Sequence, residues 1–78
     1  MEWIEKKILP KYFDEVKSGN KNFELREDED DIQPGDILVL KEWKNGEYTG
    51  EKVTKTVMYV LRNVPQYGLM DGYCIIGF

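Results

Sequence analysis

Ser18-Gly19-Asn20-Lys21-Asn22-Phe23-Glu24-Leu25-Arg26 closes one element and opens the next. Gly19 suits the left-handed position that stops a helix, and the residues after it alternate as a strand. Phe23 and Leu25 fall on one face. Asn22, Glu24 and Arg26 fall on the other, because successive side chains along a strand point to opposite sides. Lys21 stands at the strand's mouth. A cation, a carboxylate and a guanidinium thus lie within six residues, on an element that the apolar face is expected to hold rigid. A small site for a polar ligand is built in this way. An exposed strand face with ordinary solvated charges has the same spacing, and surface ion pairs contribute little.

Upstream, Trp3, Ile4, Ile8 and Leu9 predict a first strand over residues 3–9. Pro10 then suits the first turn of a helix, where its missing N–H costs nothing. Tyr12, Phe13 and Val16 recur at helical spacing with charged residues between them, so a helix is expected over residues 10–18. At about nine residues it needs a sheet to pack on.

Downstream, Gln33-Pro34-Gly35-Asp36 reads as a type II turn. Ile37-Leu38-Val39-Leu40 follows as an apolar strand, with Glu42 and Lys44 flanking Trp43 as it leaves the core. Asn45-Gly46 is a hairpin signal, and Tyr48-Thr49-Gly50 is a candidate bulge or second turn. Residues 51–61 alternate, with Val53, Lys55, Val57, Tyr59 and Leu61 on one side, and predict one long strand suited to a curved barrel wall. Residues 62–71 show no clear period and read as a loop. A last strand is expected over residues 72–78, with Cys74 in the core. The total is mainly β, bordering on α+β: about five strands and one early helix in a small β-barrel, as a single domain over residues 1–78.

Composition narrows the chemistry. With no histidine and one cysteine among 78 residues, the chain lacks the commonest general base near neutral pH. A zinc site of nitrogen and sulfur ligands and a Cys/His or Ser/His/Asp nucleophile are excluded. No metal or cofactor is expected. The acidic run Glu27-Asp28-Glu29-Asp30-Asp31 lacks calcium-loop spacing. It holds five of the fifteen acids, leaving ten against eleven basic residues, so the net charge of −4 is concentrated there. It reads as a solvated loop or a contact for a basic protein partner. No run approaches the ~18 apolar residues of a membrane span. With no signal-peptide pattern and a lone cysteine, a cytoplasmic location is expected.

The order of these pieces resembles the ASCH domains of the PUA-like superfamily, and most resembles a short bacterial and phage group of unknown function within it. The resemblance rests on Ile8-Leu9-Pro10-Lys11-Tyr12-Phe13, Ser18-Gly19 with Lys21, Phe23-Glu24-Leu25-Arg26, Pro34-Gly35-Asp36-Ile37-Leu38-Val39-Leu40, Glu47-Tyr48-Thr49-Gly50 and Gly68-Leu69 with Asp71-Gly72-Tyr73. It implies a PUA-like barrel with a cleft beside the early helix, RNA binding, and a pocket using the positions held here by Lys21, Glu24 and Arg26. The chain departs from the group in lacking a histidine near Ile4. It also has Asp28-Glu29-Asp30 where the group has Asn-Asp-Arg. ASCH members that hydrolyse acylated cytidine have a threonine at the position of Glu24.

Three function classes follow. The first is a module binding RNA or a nucleoside-sized ligand through Lys21, Glu24 and Arg26. In it, Trp43 and Tyr48 are stacking candidates beside the hairpin, against their commoner use in packing. The second is a hydrolase of RNA or a modified nucleoside, with Lys21 and Glu24 as the candidate catalytic pair. The third is an acidic protein-interaction module using residues 27–31.

Overall fold

The computed structural model describes all 78 residues, and its local structure follows the turn-forming residues. The elements are β1 (Trp3–Ile8), α1 (Pro10–Lys17), β2 (Phe23–Glu27), β3 (Ile37–Lys44), β4 (Glu47–Thr56), β5 (Tyr59–Leu61) and β6 (Tyr73–Gly77), with a 3-10 turn at Pro65–Tyr67. Pro10 occupies the first turn of α1, as expected. Gly19 follows the helix at φ 86°, and its N–H donates to the Val16 carbonyl at 3.1 Å. Phe13 and Val16, one turn apart, bury the helix against the sheet made by β3 and β4.

Asn45 and Gly46 both take positive φ, 52° and 83°. That is the type I′ geometry whose twist matches the flanking strands, and it makes β3 and β4 a tight hairpin. Their register shifts between Lys41, opposite Lys52, and Trp43, opposite Tyr48. Of the bulge or second turn expected at residues 48–50, the strand has a bulge, in residues 49–51. Thr49 Oγ1 donates to Glu42 Oε1 at 2.7 Å across it.

Six strands form two three-stranded sheets, in the orders β1-β3-β4 and β2-β6-β5. β1 runs parallel to β3; the other pairs are antiparallel. The fold is mainly β, as expected, with six strands in place of about five; they form two sheets whose ladders do not close into the expected barrel. The single strand expected over residues 51–61 is also two strands. At Val57 and Met58 the chain leaves the first sheet for the second. Val57 N–H donates to the Asp36 carbonyl and Met58 N–H to the Gly77 carbonyl, each at 2.8 Å. The inward phase shifts at this corner: Val57 is buried and Val60 packs against the core, while Tyr59, expected on the face of Val57, is exposed.

The core is the space between the sheets. Ile8, Phe13, Val16, Ile32, Leu38, Leu40, Val57, Cys74 and Ile76 fill it, with Ile4, Val53, Val60 and Phe78 at its margin. A chain of this size buries only about 60–65% of its unfolded surface, so polar anchors weigh heavily. Cys74 is a buried core residue, as expected; burial and then the neighbouring Asp28 charge push its thiol pKa up, which keeps it protonated and unreactive. No helix is long and apolar enough to cross a membrane.

The Pro34-Gly35-Asp36 turn ties the start of β1 to the start of β3. Asp36 is buried. Its Oδ2 accepts the Gln33 N–H at 2.8 Å and its Oδ1 the Glu2 N–H at 3.0 Å. The Gln33 bond first, then the Glu2 bond, hold the carboxyl below its ordinary value of 3.8. A carboxyl depressed in the folded state adds stability above its unfolded pKa, and that contribution disappears as pH falls through the folded one. Asp36→Asn is therefore expected to melt at a lower temperature than the wild type at pH 6. The gap should begin to narrow near pH 4 and close as pH falls through the depressed folded value. A gap unchanged down to pH 2 in thermal melts would remove the charge from this account.

Candidate functional site

β2 is turned opposite to the expectation from its apolar residues. Glu24 pairs with Ile76 and Arg26 with Cys74. Residues directly opposite each other share a face of the sheet, and Ile76 and Cys74 are buried. The polar row of β2 therefore points inward, with Glu24 only 5% exposed, while Phe23 and Leu25 are 47% and 56% exposed. An inward polar row and an outward apolar row are the informative inversion, because buried polar groups are what a fold ordinarily avoids.

Lys21, Glu24 and Arg26 are brought together. Lys21 Nζ donates to Glu24 Oε1. Arg26 Nε donates to Glu24 Oε2 at 3.1 Å, and Arg26 Nη2 donates to the Lys7 carbonyl. Arg26 thus links the second sheet to β1 of the first. Glu24 is saturated by cations on both oxygens. Arg26 Nη1 and the remaining N–H bonds of Lys21 make no bond within the chain. Two cations against one carboxylate leave this cluster with an excess positive charge, although the whole chain is at −4.

The cluster opens into a cleft of about 490 Å³, within the ~300–1,000 Å³ of small-molecule sites. Ile8 at the end of β1, Leu9 between β1 and α1, Tyr12 in the first turn of α1, and Phe23 and Leu25 of β2 form its apolar walls. Lys21 Nζ lies 5.4 Å from the Tyr12 ring centroid and 5.0 Å from that of Phe23. Sequence reasoning missed Lys7, Ile8, Leu9 and Tyr12 as wall residues, and placed Phe23 and Leu25 on the strand's supporting face and not in the cleft. Tyr12 had a signal: it precedes Phe13, which takes the helix's buried position, so Tyr12 itself falls at the helix margin facing Lys21.

Trp43 and Tyr48 do not line this cleft. They are a directly opposed pair on the β3–β4 hairpin, with ring centroids 4.8 Å apart at 81°. Lys7 Nζ sits 4.0 Å from the Trp43 ring and Lys41 Nζ 4.8 Å from the Tyr48 ring. Edge-to-face packing of this kind stabilises a hairpin.

The acidic run is anchored along its length. Glu27 ends β2. Asp28 accepts Arg62 Nε at 2.5 Å and Nη2 at 3.1 Å, and Arg62 Nη2 also donates to the Ile32 carbonyl at 2.8 Å. Those bonds to Asp28 raise the Arg62 pKa. Lys6 pairs with Glu29 and Asp30. Burial alone would lower the Lys6 pKa, but the bonds and charges of Asp30 and Glu29 outweigh it and raise it. Asp31 takes a positive φ of 47° and accepts Gln33 Nε2 at 3.0 Å. After Glu27 the run is a loop, and Glu27, Glu29, Asp30 and Asp31 are exposed as a solvated loop would be; Lys6 and Arg62 fasten it to the fold.

Residues 4–78 match the family described as "Domain of unknown function (DUF3850)". A protein of Escherichia phage P2, described as "Uncharacterized 12.9 kDa protein in GpA 3'region", is 45% identical over 49 residues, covering 63% of this chain and 45% of the phage protein. The match therefore spans less than half the length of that relative.

Proposed function

This chain belongs to the DUF3850 family, and from that premise we propose that it is a PUA-like, ASCH-type module whose cleft binds a single-stranded RNA nucleotide in the cytoplasm. The observation that carries the reading is the buried Glu24, held by Lys21 and Arg26 beneath exposed apolar walls. Flat apolar walls suit the faces of a base. Arg26 Nη1 and Lys21 supply donors for a base edge or a phosphate. The local excess of positive charge favours a ligand carrying a phosphate over a neutral nucleoside.

The hydrolase reading needs a free base or nucleophile, and both oxygens of Glu24 are already engaged by cations. The protein-contact reading is weakened because Asp28, Glu29 and Asp30 are ion-paired within the chain. Capture of a basic protein, not RNA, would revive it.

Calorimetric titration with the four nucleoside monophosphates tests the proposal. Binding by the wild type is expected. Arg26→Ala should weaken it roughly 10- to 150-fold, the equivalent of losing a charge-assisted hydrogen bond worth about 1.5–3 kcal/mol. Arg26→Lys should recover only part, since it keeps the charge and loses the planar fork. Wild-type protein that binds none of the four, or an Arg26→Ala variant that binds as well, would sink the reading. Appearance of a hydrolysed product would move it to the enzyme class.

A further inference from the structure

Gly77 ends β6, the central strand of the second sheet, and nothing in the fold requires a glycine there. Its φ is outside the left-handed region, and a Cβ built on it would meet the Tyr59 carbonyl at 3.5 Å and the Tyr59 Cβ at 3.9 Å, which are ordinary contacts. Glycine inside a strand weakens it, and it often marks a place where something else approaches the backbone closely.

Its neighbours say what. Gly77 on the central strand β6 is directly opposite Phe23 on one edge strand and Tyr59 on the other. The three share the outward face, as the Cβ contact to Tyr59 shows. Phe23 is 47% and Tyr59 65% exposed. Adjacent strands are about 4.8 Å apart, so the two ring stems stand about 9–10 Å from each other with a bare floor between them. A planar ring placed between two others needs about 7–8 Å, twice the optimal carbon–carbon separation. The spacing of the stems is therefore wide enough for one flat aromatic ring. Phe23 is also a wall of the cleft, and Lys21 Nζ lies 5.0 Å from its ring, so a cation stands where the two sites meet.

We propose that the Phe23–Gly77–Tyr59 slot is a second base-binding subsite, which takes the neighbouring base of a single-stranded RNA whose first nucleotide occupies the cleft, with Lys21 on the phosphate between them. The inference rests on the cleft being a nucleotide site. An aromatic on a sheet face is a sequence-tolerant stacking platform, so the subsite adds affinity rather than sequence choice.

The experiment compares a mixture of the four nucleoside monophosphates with a random-sequence RNA pentanucleotide, by calorimetry and fluorescence anisotropy. The wild type should bind the pentanucleotide at least about tenfold more tightly, the gain expected of one stacked base. Gly77→Val should abolish that gain by filling the floor, and its β-branched side chain suits a strand. Tyr59→Ala removes an exposed ring and should abolish it too. Both variants should keep the mononucleotide affinity and the wild-type circular dichroism spectrum. A pentanucleotide bound no better than the monophosphates, or a gain that survives both variants, overturns the subsite and leaves the cleft reading standing. Failure of both ligands to bind the wild type overturns the cleft reading and the subsite with it. Sedimentation showing a dimer that Gly77→Val dissolves, with RNA affinity unchanged, would make this face a self-association surface and also overturn the proposal.

Discussion

Glu24→Gln is expected to lower the melting temperature by roughly 10–20 °C and to remove ligand binding. The side chain keeps its shape, but a neutral amide replaces a carboxylate that accepts from two cations. One of its ends then points a donor at a donor. Breaking a buried pair from one side costs about 3–5 kcal/mol. Lys21 and Arg26 are 18% and 26% exposed, so water relieves part of that and about 2–3 kcal/mol remains. Each kcal/mol moves the midpoint of a domain this small by about 4–8 °C. The triple variant Lys21→Met/Glu24→Leu/Arg26→Met separates stability from function. Replacing a whole buried ionic cluster by apolar residues is often neutral, so the triple variant should melt above Glu24→Gln and still bind nothing. Thermal melts and calorimetry on both decide. A Glu24→Gln protein as stable as the wild type would mean that the cluster is loosely held and that Glu24 anchors nothing.

The second large effect is expected at Arg62. Arg62→Ala removes two bonds to Asp28 and one to the Ile32 carbonyl together, leaving a half-buried carboxylate without a cation. A loss of about 2–3 kcal/mol follows, out of a total stability of only about 4–12 kcal/mol for a chain of this length. The damage should be local first. The segment after β2 loses its clasp, so amide exchange at residues 28–32 should accelerate and protease should cut there before elsewhere. Neutralising residues 27–31 as a block would carry the same penalty, because Lys6 and Arg62 would lose their partners. Any change in RNA affinity measured on such a variant would be entangled with unfolding. Uniform exchange rates in Arg62→Ala would show that Arg62 does not hold this segment.

Local chemistry was legible in the chain. Pro10 and Gly19 bounded α1, Asn45-Gly46 made a type I′ hairpin, and Thr49-Gly50 fell in a bulge. Each depends on φ preferences of a few adjacent residues, which no tertiary contact had to supply. The grouping of Lys21, Glu24 and Arg26 was legible for the same reason, since six consecutive residues on a turn and a strand cannot separate far. The sequence by itself thus determined the helix, the hairpin turn and the membership of the charged cluster. Tertiary structure alone decided which way β2 faces, because alternation defines two faces and only the pairing of Glu24 with Ile76 and Arg26 with Cys74 says which is inside. It alone broke residues 51–61 at Val57, where hydrogen bonds to Asp36 and Gly77 draw one alternating strand into two sheets. It alone turned the acidic run into a clasp, since Lys6 and Arg62 reach it from 23 and 34 residues away. Periodicity carries the geometry of one chain segment; the inside of a sheet, the corner between sheets and the partner of a charge are properties of two segments that meet only when the chain folds.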